Sequence, residues 1–165
     1  MKSSFIVHPL TPFYDEDSRI LVLGSFPSVK TREMGFFYGH PQNRFWKVMA
    51  AVFEDHFPET VEERRAFLKR HHVAAYDVIY SCDIIGSSDA SIKNVTPTDL
   101  RPVLESANIR QIFVNGKTAE KMYKKYTEPL LGRTAVCLPS TSPANAAWSL
   151  EKLTEAWKVI AAFTE

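Results

Sequence analysis

The chain has 165 residues, of which 45% are hydrophobic and 24% are charged, and its formal net charge is +1. This composition is typical of a globular domain, and the small net charge gives no global positive field, although a local basic patch would suffice for a weak nucleic-acid contact. Two cysteines, Cys82 and Cys137, cannot supply a four-ligand metal or iron–sulfur site, so we expect both to be reduced. No apolar run is long enough to span a membrane. We therefore expect a single domain over 1–165 and a cytoplasmic monomer.

Patterns of buried strands alternate with helical patterns along the chain. Apolar runs predict strands at 19–25, 109–117 and 134–140, and the segment 72–85 is predicted to contain a further short strand or a strand that runs into a loop. Helical spacing predicts five helices, at 43–57, 60–72, 96–107, 117–126 and 149–163. Thr60 and Glu63 have the spacing of a capping box at the start of one of them. This alternation predicts an α/β fold with a mainly parallel sheet and helices on both faces.

Ligands of such sheets bind where loops leave the carboxyl ends of the strands. The exits to inspect are 24–28, 80–89 and 138–146. The first, Gly-Ser-Phe-Pro-Ser, has one glycine and no Lys-Ser/Thr pair, which makes a phosphate loop of the Walker type unlikely to form there. By itself this segment indicates a tight turn.

The run GFFYGHPQNRFW at 35–46 contains five aromatic residues and leads into a predicted helix. Phe45 and Trp46 have helical spacing and are predicted to lie in the core. The rings of Phe36, Phe37 and Tyr38 could also be core, or could present a surface on which a planar base stacks. Asn43 could be a helix cap or a site residue, and the sequence leaves both alternatives open. His40 is likewise either a packed loop residue or part of a site.

The segment LPSTSPANAA at 138–147 joins a predicted strand to a predicted helix. It carries three hydroxyl residues, two prolines and an asparagine. Hydroxyls and backbone N–H groups in a stiff loop could hold a phosphate, whereas a plain loop with a helix cap is the alternative.

Four segments together resemble the uracil-DNA glycosylase superfamily. They are GSFPS at 24–28, YGHPQNRFWKV at 38–48, NGK at 115–117 and LPSTSPANAAWSLEKL at 138–153. The resemblance covers about residues 19–160 and is closest to the mismatch-specific (G:T/U) branch and to the hypoxanthine-DNA glycosylases. His-Pro-x-Asn-Arg-Phe-Trp is its specific element, and the other segments are weak signals alone.

The resemblance implies a three-layer α/β/α sandwich around a short, mainly parallel four-stranded sheet. It also implies a reaction in which a deaminated base is flipped out of DNA and its N-glycosidic bond is hydrolysed, without a metal or another cofactor. The implied partner is DNA, duplex or single-stranded, that contains a deaminated base.

This chain departs from the mismatch branch at two polar positions. Phe26 stands where that branch has its water-positioning Asn, and Ser140 stands where it has another Asn and the main uracil branch has His. The hypoxanthine branch also lacks the first Asn and is assigned the Asn of the His-Pro-x-Asn element instead, which is Asn43 here. The ending Ser-Thr-Ser-Pro-Ala-Asn also resembles that branch.

The resemblance assigns site residues at matching positions. Asn43 is the catalytic residue, and Tyr38 matches the ring on which the flipped base stacks. Asp77, after the second strand, is either a reader of the base edge or a loop cap. The predicted base pocket comprises Gly24, Ser25, Phe26, Pro27, Tyr38, His40, Asp77 and Ser140. The predicted DNA-binding loop comprises Ser140, Thr141, Ser142, Pro143, Ala144 and Asn145.

Three functions are consistent with these residues. The first is a monofunctional DNA glycosylase that acts on hypoxanthine in deoxyinosine, which the absent first-motif Asn and the retained Asn43 favour. The second is a mismatch-type glycosylase for uracil or thymine opposite guanine. The third is a nucleic-acid-binding protein that has the fold without the catalytic activity.

Overall fold

The computed structural model describes residues 2–165, which contain seven strands and seven α-helices. The strands are β1 (Ser4–Val7), β2 (Ile20–Gly24), β3 (Val73–Asp77), β4 (Ile79–Ile84), β5 (Lys93–Pro97), β6 (Gln111–Asn115) and β7 (Ala135–Leu138). The helices are α1 (Val29–Met34), α2 (Phe45–Val52), α3 (Val61–Arg70), α4 (Arg101–Ser106), α5 (Lys117–Met122), α6 (Glu128–Leu131) and α7 (Leu150–Trp157). A π-helical turn joins α5 to α6, and a 3₁₀ segment extends α7.

A four-stranded parallel sheet forms the centre of the molecule, with the strand order β3-β2-β6-β7. Each neighbouring pair is parallel, and Leu23 of β2 lies between Tyr76 and Val114 of its neighbours. All of β2 is buried, as its unbroken apolar sequence predicts for the middle of a parallel sheet. Helices flank this sheet, which confirms the predicted α/β architecture.

The aromatic residues at 36, 37, 45 and 46 belong to the core. Phe45 and Trp46 have 0% and 1% of their surface exposed, which confirms their prediction. Phe36 and Phe37 are equally buried, and the Trp46 indole N–H donates a hydrogen bond to the Phe37 carbonyl at 3.1 Å. The start of α2 is therefore anchored in the core, which fixes the loop that precedes it.

A second, antiparallel sheet has the order β1-β4-β5 and was not predicted. The short strand predicted within 72–85 is β3, and a second strand that was not predicted follows it, because the chain leaves the parallel sheet after Asp77 and continues as β4 beside β1. The hydropathy of 72–85 is continuous across this change of sheet, so periodicity could not reveal it. The pattern of β1 is also uninformative, since three of its four residues are exposed.

Several helix boundaries differ from the predictions. The helix predicted over 43–57 ends at Val52, and Glu54 has a left-handed backbone (φ 51°) that a helix cannot contain. The prediction over 96–107 included part of β5, and α4 begins only at Arg101. The cap at Thr60 is confirmed, since its hydroxyl accepts the Glu63 N–H at 3.0 Å.

Within residues 2–165, no helix has the length and apolarity needed to cross a bilayer.

Candidate active site

A cavity of about 370 Å³ opens at the carboxyl ends of the parallel strands. Gly24, Asp77 and Asn115 line it from the last positions of β2, β3 and β6, and Ser140 lines it just after β7. The carboxyl ends of parallel strands share one edge of a sheet, which brings the predicted exits 24–28 and 138–146 together here. The exit 80–89 also reaches the cavity, through Ser87 and Asp89, but it leaves β4 of the antiparallel sheet and not a parallel strand. All eight residues predicted for the base pocket line this cavity, and Asn43 lines it too.

The loop after β7 is folded back onto the start of α2. The Arg44 guanidinium donates to the carbonyls of Ser142 and Asn145, each at 3.0 Å, and to that of Trp148. The Asn145 amide donates to the Ser140 carbonyl at 3.0 Å. Residues 140–144 of the predicted DNA-binding loop line the cavity, whereas Asn145 is turned to this carbonyl and does not. Contact of this loop with DNA stays a prediction.

Tyr38 brings an aromatic ring to the cavity. Its backbone has φ 54°, a left-handed conformation that bulky residues rarely adopt. This conformation separates its ring from the buried pair Phe36 and Phe37 and stacks it on Phe45, with ring centroids 4.0 Å apart. Burial raises the pKa of the Tyr38 phenol, as does the charge of Asp77, while the Asn115 side chain lowers it. The phenol is therefore a neutral group at the cavity wall.

Asn43 is both a helix cap and a cavity residue. Its Oδ1 accepts the backbone N–H of Phe45 at 2.9 Å and the Thr141 hydroxyl at 2.8 Å. Because a backbone N–H can only donate, the atom that faces it must be the amide oxygen. The amide nitrogen Nδ2 has no hydrogen-bond partner within residues 2–165, and it is left as a donor at the cavity.

Two further residues determine which way this amide points. The Thr141 backbone N–H donates to Asn115 Oδ1 at 3.1 Å, which turns Asn115 Nδ2 to the Thr141 hydroxyl at 3.0 Å. That hydroxyl accepts from Asn115 and so uses its own hydrogen for Asn43 Oδ1. We call Asn43, Thr141 and Asn115 the amide relay. The Thr141 backbone N–H donates at one end of it and the Phe45 backbone N–H at the other, and these two bonds determine which atom of each side chain donates and which accepts.

Asp77 is paired with His8, a residue that the sequence did not indicate. His8 Nε2 lies 2.7 Å from Asp77 Oδ2, and both side chains are buried. The Leu10 backbone N–H donates to His8 Nδ1 at 3.1 Å, so that nitrogen carries no hydrogen. The proton of the neutral ring is therefore on Nε2 and is donated to the carboxylate. We call His8 and Asp77 the acid pair.

The second oxygen of Asp77 lies against Gly24. A Cβ atom built on Gly24 would be 2.5 Å from Asp77 Oδ1 and 3.2 Å from the Tyr38 hydroxyl. Any side chain at this position would displace the carboxylate, so glycine is required by the close approach. Asp77 Oδ1 accepts no hydrogen bond within the described residues, and Asp77 thus offers an acceptor to the cavity.

Two other titratable side chains line the rim of the cavity. The Gln42 backbone N–H donates to His40 Nδ1 at 3.1 Å, so neutral His40 carries its hydrogen on Nε2. Asp89 precedes β5 in the loop after β4, and its Oδ1 accepts the Ser25 hydroxyl at 3.2 Å. The Asp89 side chain is exposed at the rim, but the neighbouring cavity wall excludes part of the water around its carboxyl and so raises its pKa. The hydroxyls of Ser25 and Thr118 lower this pKa, and the charge of Asp77 raises it. In the described part of the chain, no group of three His, Cys, Asp or Glu side chains is placed to hold a metal ion.

Sequence reasoning missed three residues of this site: His8, Asn115 and Asp89. Asn115 stands in the Asn-Gly-Lys segment that contributed to the resemblance, and Asp89 ends one of the three predicted exits. Their positions after buried strands were a usable signal. His8 had none, because it lies 69 residues before its partner and directly follows β1 of the unpredicted sheet.

The family model of the uracil DNA glycosylase superfamily matches residues 11–164, and the chain belongs to this superfamily. The chain is similar to the hypoxanthine DNA glycosylase of Methanosarcina acetivorans, with 30% identity over 151 residues that cover 88% of this chain and 92% of the relative. The corresponding enzyme of Methanosarcina barkeri is 30% identical over 139 residues, 81% of this chain and 85% of the relative.

A solved structure has the same fold. It is a solution NMR structure from Methanosarcina acetivorans, named as a candidate uracil DNA glycosylase, and it superposes with a TM-score of 0.79 at 27% identity. The match covers 94% of this chain and 96% of that one. The fold and the family are thus established by comparisons over nearly the whole chain.

Proposed function

We propose that this protein is a monofunctional DNA glycosylase that removes hypoxanthine from deoxyinosine in base excision repair. The observation that supports the proposal is that one cavity contains both a fixed hydrogen-bond donor and a fixed acceptor. The amide relay offers the donor at Asn43 Nδ2, and the acid pair offers the acceptor at Asp77 Oδ1. Two relatives named as hypoxanthine DNA glycosylases support the choice of base.

The chemistry of hypoxanthine fits these two groups. Deamination of adenine replaces an amino donor by a carbonyl acceptor beside a ring N–H. A carboxylate accepts from the ring N–H, and an amide donates to the carbonyl or to a ring nitrogen. Adenine has no ring N–H at this edge and would place its amino group before the Asn43 donor. The pair therefore discriminates against the undamaged base.

Asn43 acts on the departing base. As the glycosidic bond breaks, negative charge moves onto the base, and a donor fixed in advance stabilises that charge more than it stabilises the bound substrate. The amide relay supplies this fixed orientation, since both acceptor positions of Asn43 Oδ1 are already used. Tyr38 supports the flipped base by stacking, a contribution of roughly 1–3 kcal/mol.

Incision assays on modified duplexes test the proposal. Duplexes with inosine, with uracil opposite guanine or with thymine opposite guanine are incubated with the protein, and abasic sites are cleaved by alkali. We expect scission at inosine to be the fastest. Scission only at uracil would contradict the proposal and support the mismatch function. Binding without scission of any duplex would support the non-catalytic function.

Asn43→Asp tests the role of the amide. The carboxylate retains the acceptor for the Phe45 N–H and loses the Nδ2 donor, so we expect the excision rate to fall by about 10²–10³-fold while the melting temperature changes little. Asn43→Ala removes both functions and should lower the rate and the stability together. Full activity in either variant would exclude Asn43 from catalysis.

Uracil is the second candidate base, for a specific reason. It also has a ring N–H between carbonyl groups, so the same donor and acceptor fit its edge. The inosine and uracil duplexes are therefore compared by single-turnover rate rather than by the presence of a product. We further infer that the chain acts as one domain and as a monomer, because Asn43, Tyr38 and Asp77 of a single chain suffice to supply the proposed donor, stacking ring and acceptor. Light scattering at assay concentrations, with and without duplex, measures the mass.

A further inference from the structure

Hydrolysis of a glycosidic bond needs a group that binds the attacking water. Phe26 stands at the position of the water-positioning Asn of the mismatch branch, and a phenyl ring cannot accept a hydrogen bond. Asn43 cannot replace it in the observed conformation, because its only acceptor atom already receives the Phe45 N–H and the Thr141 hydroxyl. The acceptor for water must therefore be another group of the cavity.

Four titratable side chains line the cavity, and three are unsuited to this task. The Tyr38 phenol is neutral, because burial raises its pKa. The free nitrogen of neutral His40 is Nε2, which carries the hydrogen and is a donor. Asp77 uses one oxygen for His8 and holds the other against Gly24, at the position proposed to accept the ring N–H of the base.

Asp89 is the fourth. Its Oδ1 accepts the Ser25 hydroxyl at 3.2 Å, and the Thr118 hydroxyl also faces the carboxylate. Asp89 is exposed at the rim of the cavity, where water reaches it. Ser25 immediately precedes Phe26, so its hydroxyl holds the Asp89 carboxyl beside the segment that binds water in the mismatch branch. The loop of Asp89 is itself fixed: the Ser87 hydroxyl accepts the Val29 N–H at 2.9 Å, and Arg32 donates to the Gly86 carbonyl at 3.2 Å.

We propose that Asp89 is the catalytic base, which binds the attacking water beside Ser25 and accepts its proton. This inference rests on the proposed glycosylase function and adds a residue to it. The water oxygen bonds to C1′ of the deoxyribose, the C1′–N9 bond breaks, and its electron pair leaves with N9 of hypoxanthine. One water proton passes to Asp89 and then to solvent, and the base anion takes a proton from solvent. The sum is addition of water across the bond.

The charge of Asp89 has a second effect in the same step. Positive charge develops on the sugar as the base departs, and a carboxylate at the rim stabilises it. The groups that face Asp89 are the hydroxyls of Ser25 and Thr118 and the carboxylate of Asp77. Arg32 reaches the same loop, where it donates to the Gly86 carbonyl. Desolvation by the cavity wall raises the pKa of Asp89, which brings a carboxyl closer to the basicity suited to proton transfer.

Asp89→Asn tests the proposal, because the amide has the same shape and cannot accept a proton. We expect the single-turnover excision rate to fall by about 10²–10⁴-fold, with the Kd for the uncleaved duplex within about threefold of wild type. Asp83→Asn is the matched control: this carboxylate of β4 also accepts from a neutral donor, Asn94 at 2.7 Å, and does not line the cavity. A rate for Asp89→Asn within about threefold of wild type would overturn the proposal.

The pH profile gives a readout that a structural role would not change. The wild-type rate should fall as pH decreases through the raised pKa of Asp89, since only the ionised carboxylate accepts a proton. Asp89→Asn should lack this acidic limb, and Asp89→Glu should retain it. Persistence of the same limb in Asp89→Asn would assign it to another group and contradict the proposal.

A binding assay separates failure of this proposal from failure of the proposed function. A duplex with a pyrrolidine ring in place of the target nucleoside carries a positive charge near the position of C1′, and a tetrahydrofuran duplex is its neutral control. Asp89→Asn should weaken binding of the pyrrolidine duplex by about tenfold more than that of the control. If wild type releases no base from any duplex, the proposed function fails. If wild type releases the base but Asp89→Asn loses equal affinity for both duplexes, the proposed function stands and the role of Asp89 is overturned.

Discussion

The amide relay and the acid pair are oriented in the same way, but one presents a hydrogen-bond donor to the cavity and the other presents an acceptor. In each, a backbone N–H donates to a side chain and thereby determines its orientation: Thr141 N–H to Asn115, and Leu10 N–H to His8. The amide relay ends in a free donor at Asn43, whereas the acid pair ends in a free acceptor at Asp77. A cavity with one fixed donor and one fixed acceptor is complementary to the edge of a deaminated base.

The two groups differ in how they are built. The amide relay joins loops of the parallel sheet to the start of α2, all of which contain motifs visible in the sequence. The acid pair depends on β1, which brings His8 to Asp77 from the antiparallel sheet. The orientation of the donor therefore depends on the predicted parallel sheet, and that of the acceptor also depends on the antiparallel sheet, which was not predicted.

His8→Phe should break the acid pair with the largest effect on stability. Phenylalanine retains a ring to stack on Tyr76, where the centroids are 4.3 Å apart, and to contact Phe26. The buried carboxylate loses its donor, so we expect the free energy of unfolding to fall by about 2–4 kcal/mol, measured by urea denaturation. His8→Gln restores a donor and an acceptor and should lose less. Equal losses in both variants would show that packing, and not the hydrogen bond, is the contribution of His8.

Thr141→Val should weaken the amide relay while the acid pair stays intact. Valine retains the volume of threonine at a position with 0% exposure and removes the hydroxyl between Asn115 and Asn43. We expect the excision rate to fall by about tenfold, since Asn43 keeps only its bond to Phe45. Thr141→Ser should restore the rate.

A double variant tests whether Thr141 acts through Asn43. In the Asn43→Ala background, Thr141→Val should lower the excision rate no further, because the side chain that it orients is absent. Independent, multiplicative losses in the double variant would contradict the relay and assign Thr141 a separate role.

Tyr38→Phe should have the smallest effect, because it removes a buried hydroxyl that has no hydrogen-bond partner in the described part of the chain. We expect the free energy of unfolding to change by less than about 0.5 kcal/mol, and the excision rate to stay unchanged if stacking is the role of the ring. Tyr38→Ala removes the ring and should weaken base capture by about 1–3 kcal/mol. A large loss of activity in Tyr38→Phe would instead make the hydroxyl part of recognition.

Much of this site could be predicted from the sequence, because strand ends and helix starts are indicated by short, local patterns of residues. Apolar runs that end at Gly24, Asn115 and Pro139 predicted strands of one parallel sheet, and the carboxyl ends of such strands must lie together. Within the run 35–46, Phe45 and Trp46 lie in the core, as their helical spacing predicts, and Tyr38, His40 and Asn43 line the cavity. Whether Asn43 was a cap or a cavity residue was not a real alternative, because its oxygen caps and its nitrogen is free.

Only the tertiary structure decided the directions of the hydrogen bonds. His8 and Asp77 are 69 residues apart, and Asn43 and Thr141 are 98 apart, so no periodicity relates them. Local pattern determines which residues are buried and which strand ends they follow. Which atom of an amide or imidazole faces the cavity depends instead on the backbone N–H that approaches its other side, and that contact exists only once the two sheets and the loop after β7 have packed together.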